Sequence, residues 1–243
     1  MTETSLQNPR RRLLMFALVI SILFSIWLMA RIVPDVRRVV STIELLLFIP
    51  LPLAIFYVRS SWARSSCVIG FLTLIAVWFF TYSLLHEVSH IAGDLLLGKT
   101  IVGYQLIPHY WKGEFFSGAG VSSASNGRLG NALGFLGGLA PYMRDVLLLT
   151  VGYWILRSKK ILNPFLSGLI FTICCLSSLF DIVNNYSIYL INPGTVGNDF
   201  QGTDHAIGTI WTNTIGVLFT SFSVVVTGRV LVLYRGFPAK YGA

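Results

Sequence analysis

Six long, predominantly apolar runs set the limits on this 243-residue chain: roughly Leu13 to Val33, Thr42 to Val58, Val68 to Leu97, Leu129 to Leu156, Ile161 to Ile191 and Ala206 to Tyr234. About 20 residues of helix cross a bilayer core, and each run reaches or approaches that length. Lipid offers the backbone no hydrogen-bond partners, so such runs satisfy themselves as helices. Charged residues make up 12% of the chain, about half the roughly 25% usual in soluble domains. The expected fold is therefore all-α: a single multi-pass membrane domain over residues 1–243, with about six transmembrane helices. Residues 13–58 form a two-helix N-terminal anchor ahead of a core covering about residues 67–210.

The first run follows Arg10, Arg11 and Arg12 but exceeds the apolar length of a signal peptide and lacks a small-residue cleavage site, which makes it an anchor. Pro50 and Pro52 predict a kink in the second run, since each removes a backbone donor. Residues 99–128 interrupt the apolar pattern. Thr100 to Ile107 alternates weakly, and Pro108 leads into the aromatic-rich stretch His109 to Phe116, a composition suited to a small hairpin at the membrane interface.

The net charge of +8 arises from basic residues scattered between the apolar runs, which favours anionic lipid headgroups over nucleic acid as partners. Assigned to the two sides by run order, ten of these basic residues fall with the termini and six opposite, which places both termini in the cytoplasm. Cys67, Cys174 and Cys175 have no metal-ligand spacing and read as buried thiols.

Late in the third run stands His86-Glu87-Val88-Ser89-His90. On a helix, positions i and i+4 share a face about 6 Å apart, so both imidazoles reach one Zn²⁺ while the intervening glutamate reaches a metal-bound water. Zinc lowers the pKa of that water towards ~7. A neighbouring carboxylate takes its proton during attack on a peptide carbonyl and delivers it to the leaving nitrogen. With only four His and four Glu in the chain, about 0.001 such patterns are expected by chance. A charge at mid-bilayer costs about 2.5 to 3.5 kcal/mol on insertion scales, so this trio points to a metal site rather than to polar packing between helices.

A catalytic zinc usually has three protein ligands. Leu96 stands six residues after His90, where a third histidine would be needed, and Glu114 falls in the hairpin. Asp94 shares the histidine stripe but lies about 12 Å along the axis from His86. Counting crossings, the loop after the fifth run returns to the side of the zinc motif. Asp199 and Asp204, each placed at a plausible helix start, are then the candidates; Asp199 is favoured and Asp204 is the alternative. Asp181 and Asn184 share a face of the fifth run and are candidates for positioning substrate or supporting a metal ligand, or else for bonding between helices. Arg144 and Asp145 either neutralise one another or mark a helix break after Pro141. His109 and His205 read as interfacial side chains.

These residues together resemble the site-2 protease family of intramembrane zinc metalloproteases, over roughly residues 67 to 210: the His86-Glu87-x-x-His90 motif late in a membrane helix, a hairpin-like stretch after it, and a later acid opening another membrane helix. The resemblance implies that His86, His90 and Asp199 or Asp204 bind zinc. It also implies that Glu87 is the general base and that the substrate is a membrane protein cut within or beside its transmembrane segments. The chain departs from the pattern of many members at Ser89, where they carry glycine before the second histidine, and at Phe200 or His205, where they carry glycine after the aspartate. Two other classes compete with the protease: a non-catalytic membrane binding protein, and a metal-permeating transporter with the same side chains lining its path.

Overall fold

A computed structural model describes residues 36–59, 64–109, 119–125, 133–158, 163–191 and 198–233. The expected first span, Leu13 to Val33, lies outside the described residues, as do Glu114 and most of the aromatic stretch that follows Pro108. The described chain is mostly helical, and four of its helices are long and apolar enough to cross a membrane: Val39–Tyr57, Val68–Leu96, Phe165–Ile191 and Thr209–Val232.

The first of these is two helices in succession, α1, Val36–Phe48, and α2, Pro50–Arg59, parted at Ile49. The interruption falls next to Pro50 and Pro52, which lack backbone donors. Bonds from Ile49 to Leu45 and from Leu53 to Ile49 keep the ladder continuous across it. Helix α3, Arg64–Leu96, is 33 residues long and so extends about 50 Å. It stops at Gly98, whose φ of 71° suits a residue without a Cβ. The amides of Gly98 and Lys99 turn back to the carbonyls of Leu95 and Asp94, the Schellman arrangement that satisfies the last turn.

Two short strands follow, β1 (Thr100–Gln105) and β2 (Gly120–Ala124), paired antiparallel with Tyr104 opposite Val121. Ser83 on α3 donates to the carbonyl of Leu106 at 3.2 Å, which ties the end of β1 back to the helix. Helix α4, Phe135–Ser158, runs unbroken through Pro141. The helix break offered as one alternative for this stretch does not occur; α4 meets α3 on both sides of the proline, at Ala140 against Gly93 and at Arg144 against Ser89. That packing is close: a Cβ on Gly93 would lie 2.5 Å from the Cβ of Ala140.

The fifth run folds as α5, Pro164–Ile170, a π-helical turn, Phe171–Leu176, and α6, Ser177–Ile191. Asn163 caps its start by accepting from the amides of Phe165 and Leu166. This rod is the centre of the molecule, with 67% of its most apolar window buried against 22% for the last helix. Phe56 stacks on Phe171 at 4.7 Å, and Phe180 meets Trp78 and Tyr82 edge-on. The sixth run begins not with one helix but with two. A short α7, Asp199–Ile207, ends at Gly208 with φ 86°, and α8, Thr209–Leu233, follows.

Candidate metal centre

Helix α3 supplies His86 and His90 one turn apart on a buried face, and α7 brings Asp199 to them from more than a hundred residues away. Asn198 sets that approach. Its side-chain oxygen caps α7 by accepting from Phe200 and Gln201, while its amide group donates to the carbonyl of Asn185 on α6 at 3.0 Å. Asp199 therefore begins the helix at a fixed height against the central rod.

The three side chains converge. His86 Nε2 and His90 Nε2 lie 3.2 Å apart, and oxygens of Asp199 lie 3.3 Å from each. Among the described residues these form the one group of His, Cys, Asp or Glu able to hold a metal ion, with one ligand atom from each within 4.8 Å of the others. Donors around a tetrahedral zinc at about 2.0–2.1 Å are separated by about 3.3–3.4 Å, a spacing that the two imidazole nitrogens meet and that each reaches to a different oxygen of Asp199.

The far side of each ring fixes which nitrogen faces the cluster. His90 Nδ1 faces the carbonyl of Gly137 at 2.9 Å, and a carbonyl only accepts, so this nitrogen carries a proton. His86 Nδ1 likewise faces the carboxylate of Asp181 at 2.8 Å. In neutral rings both Nε2 atoms then offer lone pairs to the shared point, where a carboxylate also arrives. Three electron-rich atoms gathered in a buried setting make a group that could hold a cation.

Pro141 makes the Gly137 contact available. Its ring nitrogen carries no hydrogen, so the carbonyl four residues earlier, that of Gly137, lacks its regular helical partner and is free to receive His90. The Asp181 carboxylate is held in turn by Arg144 at 3.0 Å and by the amide of Asn185 at 3.0 Å, which also donates to the Asp181 backbone carbonyl. Arg144 also binds Asp145 at 2.6 Å and Ser89, inside the motif, at 3.0 Å, so its role extends beyond neutralising its neighbour. The π turn contributes to this geometry, because one added residue rotates the following helix by about 100° and determines which of its side chains meet α3.

Tyr142 donates to Asp199 at 2.6 Å and lies fully buried between His86 and Phe200. Burial alone raises a carboxyl pKa, but at Asp199 the imidazoles of His90 and His86, when protonated in the absence of metal, outweigh it and hold the carboxyl well below the usual range.

The other sequence candidates lie elsewhere. Asp204 sits outside the cluster and faces Tyr189. Asn184, grouped with Asp181 by helical face, turns away from the site to donate to Ser41 and Glu44 of α1, each at 2.8 Å. Three residues on, a helix has turned 60° short of a full circle, enough to reach a different neighbour. Asp94 pairs with Lys99 at 2.6 Å rather than with a ligand histidine. His205 is exposed and His109 receives the amide of Gln105. Sequence reasoning missed Tyr142, Asn185 and the capping role of Asn198. Of these, Asn185 carried a signal, standing four residues after Asp181 on its own helix.

A cavity of about 430 Å³ opens beside the cluster, walled by Tyr82, Glu87, Asn185 and Asp199, with Pro108 and Val121 on the strand side. Glu87 is 7% exposed and no side chain among the described residues donates a hydrogen bond to it. Compared with models of known protein families, with curated proteins and with solved structures, the chain gives no match.

Proposed function

We propose that this chain is an intramembrane zinc metalloprotease of the site-2 type, with about six membrane spans, both termini in the cytoplasm, and β1 and β2 forming a hairpin at the interface. Its reaction is hydrolysis of a peptide bond within or near a transmembrane segment of a membrane-protein substrate. One observation carries the reading: two lone-pair imidazole nitrogens and a carboxylate converge beside a glutamate that no described side chain engages, at the wall of a cavity.

His86, His90 and Asp199 would hold the ion, which supplies Lewis acidity towards a water and a peptide carbonyl. Glu87 takes the proton of the attacking water and passes it to the amide nitrogen as the C–N bond breaks. Asp181 and the Gly137 carbonyl keep the two rings in the tautomer that points Nε2 inward. A substrate helix must unwind locally to expose its carbonyl, and β2, with Gly120 and Val121 on the cavity wall, offers an edge to hold the extended segment.

The test is zinc content of the purified chain in detergent together with cleavage of a panel of single-span reporter proteins in vesicles. About one zinc per chain is expected, and Glu87→Gln should retain it while cleavage falls by at least 10²-fold. A chain that binds no zinc overturns the reading. Zinc bound without cleavage of any reporter favours a binding protein, and metal flux into vesicles that survives Glu87→Gln favours a transporter.

A further inference from the structure

Peptide hydrolysis places negative charge on the former carbonyl oxygen, and enzymes commonly meet that charge with a prearranged hydrogen-bond donor. The cavity wall holds few donors that are not already occupied. Ser83 gives its hydrogen to the carbonyl of Leu106, and Thr203 gives its own to the carbonyl of Asp199. The Asn185 amide donates to the backbone carbonyl and the carboxylate of Asp181, Lys99 is held by Asp94 and the carbonyl of Gly134, and Asn198 reaches the carbonyl of Asn185. The hydroxyl of Tyr82 is different: among the described residues it has no hydrogen-bond partner.

Tyr82 stands four residues before His86, so Tyr82, His86 and His90 form one stripe along α3 at successive turns. Its ring is fixed by Trp78 at 5.5 Å, Phe180 at 5.4 Å and His86 at 6.5 Å. A rigid phenol beside the proposed ligands and Glu87, on the wall of the cavity where a substrate would lie, has the form of a preorganised donor. The buried partner of its type, Tyr142, cannot serve, since its hydroxyl is committed to Asp199.

We infer that Tyr82 is a further catalytic residue, donating a hydrogen bond to the substrate carbonyl oxygen as that oxygen gains negative charge. No proton is transferred; the bond strengthens in the transition state and relaxes when the C–N bond breaks. The assignment rests on the protease reading.

Tyr82→Phe removes only the hydroxyl and keeps the packed ring. In the zinc-loaded full chain, this variant should keep its zinc content, lose roughly 10²-fold in kcat on a reporter cleaved by the wild type, and change KM by less than about threefold. It should also bind a phosphinic peptide, whose tetrahedral oxygens imitate the transition state, at least about tenfold more weakly in calorimetry. A kcat within twofold of wild type, or unchanged phosphinic-peptide affinity, overturns the assignment while leaving the protease reading intact. Loss of zinc from Tyr82→Phe overturns it as well, because Tyr82 would then be a support of the metal site. A wild-type chain that cleaves no reporter overturns both.

Discussion

Asp199 does two things that Asp204 does not. It begins α7, so its height is set by the Asn198 cap, and it meets a fully buried tyrosine that directs its carboxylate at 2.6 Å. Asp204 lies five residues on, which turns it about 140° around the helix, towards Tyr189. Asp199→Ala should therefore reduce zinc content as severely as His90→Ala, whereas Asp204→Ala should leave it within about twofold. Zinc stripped by Asp204→Ala alone, as read by metal analysis of the purified variants, would refute the geometry of the ligand set. Crossing arithmetic had narrowed the third ligand to these two acids, because both sit in the right loop. Sequence already favoured Asp199 over Asp204, but the cap's grip on α6 and the tyrosine that engages Asp199 were not legible, because Tyr142 comes from a helix whose approach no local pattern encodes.

At the scale of the element, Pro141 shows how a residue that reads as a defect serves the site. From sequence, a proline in an apolar run signals a break. The helix continues here, and the consequence of the missing N–H is moved to the Gly137 carbonyl, which orients His90. Pro141→Ala would restore an intrahelical partner to that carbonyl. We expect zinc affinity to fall about tenfold, the scale on which partners of ligand histidines act. Stability of the metal-free chain should hold or rise, since proline in a helix interior destabilises by about 3 kcal/mol in simple helices. Chelator competition and thermal unfolding measure the two effects separately, and unchanged affinity would show that His90 needs no such anchor. The π turn at Phe171–Leu176 was illegible for a related reason. It adds one residue to a turn without changing hydrophobic period, so the apolar run looks the same with or without it. The motif on α3, by contrast, was legible because its spacing is local and its residue types are rare in an apolar helix. Asn184 marks the boundary: its helical face could be read, but its partners on α1 could not.

For the whole molecule, the proposed metal centre joins distant parts of the chain. Its proposed ligands come from α3 and α7, and the residues that hold those side chains come from α4 and α6. Without a cation, two lone pairs and a carboxylate face one another at 3.2 to 3.3 Å, so zinc should stabilise the assembled bundle and not only α3. A ligand bound by the folded state alone adds RT ln(1 + [L]/Kd), about 2.7 kcal/mol at a hundredfold excess over Kd. Thermal unfolding in detergent should accordingly shift upward by several degrees on zinc loading and return on chelation. Acid should act in the same direction as chelation. The Asp199 carboxyl is held well below the usual carboxylate range, so its own contribution is whole above that range and is lost progressively as pH falls through it towards the depressed pKa. The imidazoles fail first, because a histidine binds metal only when neutral and protons compete for Nε2. Zinc content measured across a pH series should therefore drop at mildly acidic pH, with the thermal midpoint following it. In His90→Ala the midpoint should no longer respond to zinc. A midpoint indifferent to zinc in the wild type would place the ion, if bound, outside the bundle that α3, α4, α6 and α7 build.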